Sequence, residues 1–266
     1  MRVGLYTNNS IRSQRVVKNL TSLLAAKNLP IDNEYPEVLI SVGGDGTLLG
    51  AFQKYQDQLD TIRFVGLHTG HLGFYTDWRE YEIEDLVESL VNDKQQCVKY
   101  PILETTVTYL DGTKDVKLAL NESMIKRVSG TVVADVYLGD EWFERFRGDG
   151  MAISTPTGST AYNKAIGGAV LHPSLAALQL AELASINNQV YRTLGSPLVT
   201  ASDEIIKIVP RDSDGLILTY DQDLINSQAV KEVGYRIANQ RIAFAEYRHM
   251  QFWRRVNDSF IGHLKE

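Results

Sequence analysis

Cysteine is nearly missing from this chain. Cys97 stands alone among 266 residues, which excludes an intrachain disulfide, and no Cys/His cluster of the metal-binding type is present. Proline is scarce, seven in all, and no stretch reads as low-complexity linker. No apolar run approaches the roughly 20 residues that cross a bilayer. An excess of positive charge is lacking too. The 33 acidic residues against 27 basic ones give a net charge of −6, with a pI near 5.5. That balance excludes a protein whose main partner is nucleic acid. It leaves room for a phosphorylated small molecule, which needs only a local glycine-rich or basic site. The opening residues, Met1-Arg2-Val3-Gly4-Leu5-Tyr6-Thr7, read as a strand with no signal-peptide pattern. The expectation is a soluble cytoplasmic protein with neither membrane nor nucleic-acid partners.

Hydrophobic residues make up 44% and charged residues 23%, enough for a real core in one large or two modest domains. The first third alternates strand and helix. Residues 2–7, 37–42 and 63–67 read as strands. Val16, Val17, Leu20, Leu23 and Leu24 mark one face of a helix ending before Pro30, a second helix is expected over 48–57, and a third over 81–93. This rhythm implies an α/β domain with a mainly parallel sheet. The pattern changes near residue 99. Asp111-Gly112 and Gly139-Asp140 sit between β-prone runs as hairpin signals, and further β-like runs cover 204–209, 216–220 and 235–246. The expected architecture is an N-terminal parallel α/β domain, residues 1–98 with the tail 247–266, followed by a β-rich domain over 99–246. One helical segment, roughly 160–187, interrupts the second. The tail Phe252-Trp253-Arg254-Arg255-Val256 is too aromatic to hang free and is expected to pack back on the first domain.

The segment with most chemistry is Gly43-Gly44-Asp45-Gly46-Thr47, which follows the apolar run Val38–Val42. A glycine loop at the carboxyl end of a strand is where open α/β sheets bind ligands, and glycines bring backbone N–H groups close to phosphate. The carboxylate among them needs a purpose, either to hold a metal or to accept a proton. The spacing is not that of a Walker loop. A second segment, Ser154-Thr155-Pro156-Thr157-Gly158-Ser159-Thr160-Ala161-Tyr162-Asn163, concentrates hydroxyls beside an aromatic ring. It can line a polar pocket or cap the helix after it. Gly167-Gly168 follow. Asn121-Glu122 and Thr219-Tyr220-Asp221-Gln222 lie at strand ends and are weak signals singly.

Together and in this order, these segments resemble the NAD kinase family. Gly43–Thr47 matches its GGDGT motif, Asn121-Glu122 its Asn-Glu pair, and Thr155–Tyr162 its TPTGSTAY block. The likeness extends to Thr69–Phe74, His172-Pro173 and Gly195–Leu198, so it spans roughly 38–222. GGDGT alone is shared with lipid kinases and phosphofructokinase-type enzymes; the second block separates them. The resemblance implies phosphorylation of the adenosine-ribose 2′-hydroxyl of NAD, with ATP or another donor and a divalent metal, magnesium foremost. Asp45 would be the general base, and Gly43, Gly44, Gly46 and Thr47 the phosphate loop. Asp45, Gly46, Asn121 and Glu122 would contact the NAD, the Asn-Glu pair gripping the ribose. Thr160, Ala161 and Tyr162 would surround the adenine, with Asn163, Lys164 and Ala165 continuing along the dinucleotide. Arg147 and Asp149 match positions that reach the ligand across a subunit contact, which implies a homodimer or homotetramer, and Ala184 and Gln222 are further lining candidates. No protein cluster is expected to hold the metal. Three departures stand out: His68 replaces a frequent asparagine, Ala165 a frequent serine, and Asp221-Gln222 lacks a glycine between its members. His68, His71 and His172 read as structural. The alternatives are a lipid or sugar kinase of the GGDGT type, and a non-catalytic NAD(P)-binding regulator.

Overall fold

Three apolar runs in the first seventy residues become the parallel strands β1 (Val3–Thr7), β2 (Val38–Gly43) and β3 (Arg63–His68). We describe them in a computed structural model that covers residues 1–70, 73–248 and 252–262; His71 lies outside the described residues. A two-residue strand, β4 (Trp78–Arg79), pairs with β3, and the end of the long strand Val230–Ala245 joins the far side of β3 in parallel. These belong to the first of two units, Met1–Tyr100 with Arg241–Glu266.

Side chains alternate across this sheet and so serve two layers. Val3, Val38, Ile40, Val42, Val65 and Leu67 pack against helices α1 (Ile11–Ala26) and α3 (Ile83–Val91). Ser10 caps α1 by accepting from the Ser13 N–H, and Val16, Leu20 and Leu24 recur at every fourth position on its buried face. The opposite parity, represented by Tyr6, faces helix α2 (Asp45–Lys54), whose Gly50 lies against the Tyr6 hydroxyl. That helix opens at Asp45 rather than near residue 48. Gly44 is extended (φ −108°, ψ −170°) and turns the chain at once from strand into helix, and a carboxylate in the first turn suits the positive end of the dipole.

The tail returns to this unit as α5 (Phe252–Val256). Its anchor is Arg255, 4% exposed, whereas Trp253 stays 58% exposed. Charge joins aromatic contact in holding the tail: the guanidinium meets the half-buried carboxylate of Asp77 and the carbonyl of Phe74, and the Phe260 ring stacks on Phe74. A buried charge that is not paired is far costlier than an exposed indole.

The second unit, Pro101–Gln240, is almost wholly antiparallel. Strand β5 (Cys97–Tyr109) turns at Asp111-Gly112 into β6 (Lys114–Ala119). Then come β7 (Glu122–Arg127), the hairpin β8 (Val132–Leu138) and β9 (Glu141–Gly148), and β10 (Gly150–Ser154). A one-turn helix, α4 (Tyr162–Ala165), precedes β11 (Leu178–Leu183), β12 (Leu198–Thr200) and β13 (Ile206–Pro210), and β14 (Leu216–Tyr220), β15 (Asp223–Ile225) and β16 (Val230–Ala245) complete the series. One sheet runs β12-β11-β10-β7-β14-β15. In the other layer, β13 lies between β16 and β8, with β9 beyond. Ile125, Met151, Ile153 and Leu180 of the first sheet meet Val136, Phe146, Ile208 and Tyr235 of the second in one core. Each such buried side chain contributes about 1.5–3 kcal/mol of transfer free energy.

The helix expected over 160–187 is overturned. Helical turns stop at Ala165, and Leu178–Leu183 is a central strand hydrogen-bonded on both edges. Its residues Leu, Gln, Ala and Glu favour helices, but burial between β10 and β12 prevails over propensity.

Candidate active site

In the first unit, chemistry gathers where β2 becomes α2. Gly43 lets the turn close, because a Cβ there would sit 2.1 Å from the Thr47 hydroxyl. Thr47 is itself buried and accepts from the Asn8 amide at 3.2 Å. Gly44 and Gly46 are exposed, a Cβ on Gly44 would meet nothing within 4 Å, and no side chain caps the helix. First-turn N–H groups lack helical acceptors, so this terminus suits an anion. Asp45 sits on it, half-buried. Its Oδ2 accepts from the Phe74 N–H at 2.8 Å and its Oδ1 from the Tyr75 N–H at 2.9 Å. Gly73 permits this approach, since a Cβ there would lie 2.1 Å from Oδ1. The carboxylate is thus fixed in position while each oxygen keeps further acceptor capacity.

His68 ends β3, paired in register with Gly43 and 8% exposed. Its Nδ1 lies 3.0 Å from the Gly70 carbonyl, and its Nε2 has no hydrogen-bond partner among the described residues. His172 approaches the Ser174 hydroxyl and amide and reads as a local loop staple.

In the second unit the Thr155–Thr160 hydroxyls turn inward rather than lining a pocket. Thr155 and Thr157 both donate to the Leu120 carbonyl, at 2.6 and 3.0 Å, Ser159 donates to Pro156, and Thr160 to Thr157. Gly158 lies so near Asn121 that a Cβ would fall 2.1 Å from its carbonyl oxygen. The hydroxyls therefore shape the backbone that carries Asn121 and Glu122. From the other side Asp221 accepts the N–H groups of Leu120 and Asn121 at 2.8 and 2.7 Å. Asp221 and Gln222 form the two-residue turn between β14 and β15, where Tyr220 pairs with Asp223, and Asp221 takes φ +48°. A two-residue hairpin turn requires positive φ, which aspartate tolerates, so the missing glycine is no defect.

Glu122 is 8% exposed, and its Oε2 has no hydrogen-bond partner among the described residues. Burial, reinforced by the negative charge of Asp221, pushes its carboxyl up to about 8. The group is protonated at neutral pH and can donate as well as accept.

The register divides the candidate NAD-contacting residues of this unit. Ser154 pairs with Glu122, and Tyr220 with Ser123, which brings Asn121, Glu122 and Gln222 to one end of the sheet, and the chain leaves β10 at that end for the turns that carry Thr160, Ala161, Tyr162, Asn163, Lys164 and Ala165. Tyr162 presents an exposed ring, while Asn163 is fully buried. Gly150 pairs with Lys126 and Leu183, which places Arg147, Asp149 and Ala184 at the opposite end. There the Arg147 guanidinium lies 4.9 Å from the centre of the Tyr191 ring, and Ala184 is exposed with φ +46°. The five residues of β10 between the two groups span ~13 Å at about 3.3 Å per step. Sequence reasoning missed Gly73 and Gly158 as site residues and met Asp221 only as a weak strand-end signal; what finds the glycines is a close approach, visible only in three dimensions. Among the described residues no three His, Cys, Asp or Glu side chains are grouped to hold a metal.

A model of the ATP-NAD kinase N-terminal domain matches residues 12–95, and one of the C-terminal domain matches residues 120–244. The chain is 59% identical to the NAD kinase of Levilactobacillus brevis over 263 residues, covering 98% of both chains. It is 55% identical to that of Enterococcus faecalis, covering 98% of this chain and 99% of the other. Solved structures share the fold. Yeast NADH kinase complexed with NADH superposes with a TM-score of 0.84 at 19% identity, covering 100% of this chain and 89% of that one. The NAD kinase of Archaeoglobus fulgidus in complex with ATP gives 0.76 at 21% identity, with 98% of each chain covered. With both domain models in register and identity above half along nearly its whole length, the chain belongs to the NAD kinase family.

Proposed function

We propose that the protein transfers the terminal phosphate of ATP to the 2′-hydroxyl of the adenosine ribose of NAD, making NADP, with Asp45 as general base. The observation that carries the reading is a carboxylate held by two backbone N–H groups on an uncapped helix terminus flanked by exposed glycines. A ribose hydroxyl is a poor nucleophile. As its oxygen bonds to the γ-phosphorus, the bridging P–O bond breaks toward ADP and the hydroxyl proton passes to Asp45. The N–H groups at Gly44 and Gly46 suit the donor phosphates, with Gly43 and Thr47 shaping the turn.

Asn121 and protonated Glu122 are assigned to the ribose, Thr160, Ala161 and Tyr162 to the adenine, and Asn163, Lys164, Ala165 and Gln222 to the rest of the dinucleotide. A divalent cation, magnesium foremost, would arrive with the nucleotide phosphates, the usual situation for Mg²⁺ with nucleotides, and would supply charge neutralisation. Arg147, Asp149 and Ala184 are assigned to a ligand seated on a second copy, because one chain holds them a strand's length from Glu122. The protein therefore works as a cytoplasmic homo-oligomer. That the two solved relatives are complexes with NADH and ATP supports the choice of ligands.

Purified protein supplied with NAD, ATP and magnesium should yield NADP, read by a coupled dehydrogenase; absence of NADP rejects the reading. Asp45→Asn should keep NAD binding by calorimetry yet turn over about 10²–10⁴-fold more slowly. Unchanged turnover removes Asp45 from its role.

A further inference from the structure

The carboxyl-terminal tail reaches the base through one peptide bond. Arg255 of α5 is buried, and its guanidinium forks between the Phe74 carbonyl and the Asp77 carboxylate. The Phe74 carbonyl and the Tyr75 N–H belong to the same planar peptide unit. That N–H donates to Asp45 Oδ1 at 2.9 Å, and the Phe74 N–H, one unit earlier, donates to Oδ2 at 2.8 Å. The cation thus pulls on one side of a plane whose other side holds the reacting carboxylate.

The rest of the segment is fixed by other contacts, among them the Tyr75 ring stacked on Phe244 with ring centres 6.0 Å apart. Asp77 N–H donates to the Gly66 carbonyl at 3.1 Å, tying the segment's end to β3. Gly73 N–H donates to the Thr76 hydroxyl at 3.1 Å, closing the segment on itself. The Phe74 ring stacks on Phe260 of the tail, with ring centres 5.3 Å apart and planes at 30°. Hydrogen bonds in a chain polarise one another, so a cation on the carbonyl strengthens donation by the N–H across the same amide. Lysine cannot reproduce the effect, since its point charge lacks the fork that spans both acceptors.

We propose that Arg255 is a positioning residue for phosphoryl transfer: from the tail it orients and polarises the Phe74–Tyr75 peptide that fixes Asp45. The proposal rests on the reading of Asp45 as general base.

The test compares wild type, Arg255→Lys and Asp77→Asn in the full-length enzyme. Turnover is expressed per NAD site counted by calorimetry, and amide hydrogen exchange is followed at Phe74 and Tyr75. Arg255→Lys should lower kcat per site about tenfold with KM for NAD within twofold. Exchange at Tyr75 should quicken at least tenfold, while amides of β2 and α2 keep their rates. Asp77→Asn, which weakens one arm of the guanidinium's hold, should give a smaller loss of the same kind, and it carries the test should Arg255→Lys fail to fold. In an enzyme whose turnover depends on Asp45, kcat per site within twofold of wild type for both variants overturns the proposal. So does a loss that merely follows the number of NAD sites, or unchanged exchange at Tyr75. Normal turnover by Asp45→Asn would instead remove the base, and the positioning role with it.

Discussion

Glu122 carries its proton at neutral pH because burial and Asp221 both oppose its charge, and stability inherits that. Between the ordinary glutamate value and about 8 the folded protein holds a proton that the unfolded chain has released. Stability contributed here is therefore full below the unfolded value and is lost as pH rises through about 8, with a slope of at most about 1.4 kcal/mol per pH unit. Glu122→Gln, neutral throughout, should lose less stability than wild type between pH 5 and 8 in urea melts; parallel pH profiles would contradict the assigned protonation. Steric residues of the site predict more directly. Gly158→Ala places a methyl group 2.1 Å from the Asn121 carbonyl oxygen, a backbone atom that cannot swing aside. It should cost about 1–3 kcal/mol, the usual range for overpacking, and raise KM for NAD. A variant with wild-type melting temperature and KM would show that the loop yields freely. Neither glycine contact was legible in the sequence. Asp45 was, because a carboxylate between glycines after an apolar strand has few uses.

At the scale of elements, the two-residue turn Asp221-Gln222 decides whether the Asn121-Glu122 junction keeps its shape. Asp221→Ala would strip acceptors from two backbone N–H groups, each costing about 1–3 kcal/mol if left unmet. The melting temperature should fall by several degrees, at about 2–4 °C per kcal/mol for a chain of this size, and NAD affinity should drop. Affinity unchanged by calorimetry would separate the turn from the binding end. The hairpins at Asp111-Gly112 and Gly139-Asp140 and the amphipathic α1 were legible because short-range turn chemistry and a helical period write themselves into consecutive residues. Strand β11 was not. Its Leu-Gln-Ala-Glu composition points to a helix, and only its place between β10 and β12 makes it a strand.

For the whole molecule, the separation of Arg147, Asp149 and Ala184 from Glu122 predicts complementation between copies. Asn121→Ala and Arg147→Ala should each be poorly active alone. Co-expressed, they should recover a sizeable fraction of wild-type turnover, because some mixed assemblies contain one undamaged site. No recovery in assemblies verified as mixed by native mass measurement would confine each site to one chain. Sequence alone determined the α/β then β-rich order and the segments that carry the family likeness, since these depend on neighbours along the chain. Tertiary structure alone decided what depends on neighbours in space. Examples are the inward turn of the Thr155–Thr160 hydroxyls, the protonation of Glu122, the hold of Phe74 and Tyr75 on Asp45, and the reach of Arg255 to that same loop from 181 residues away.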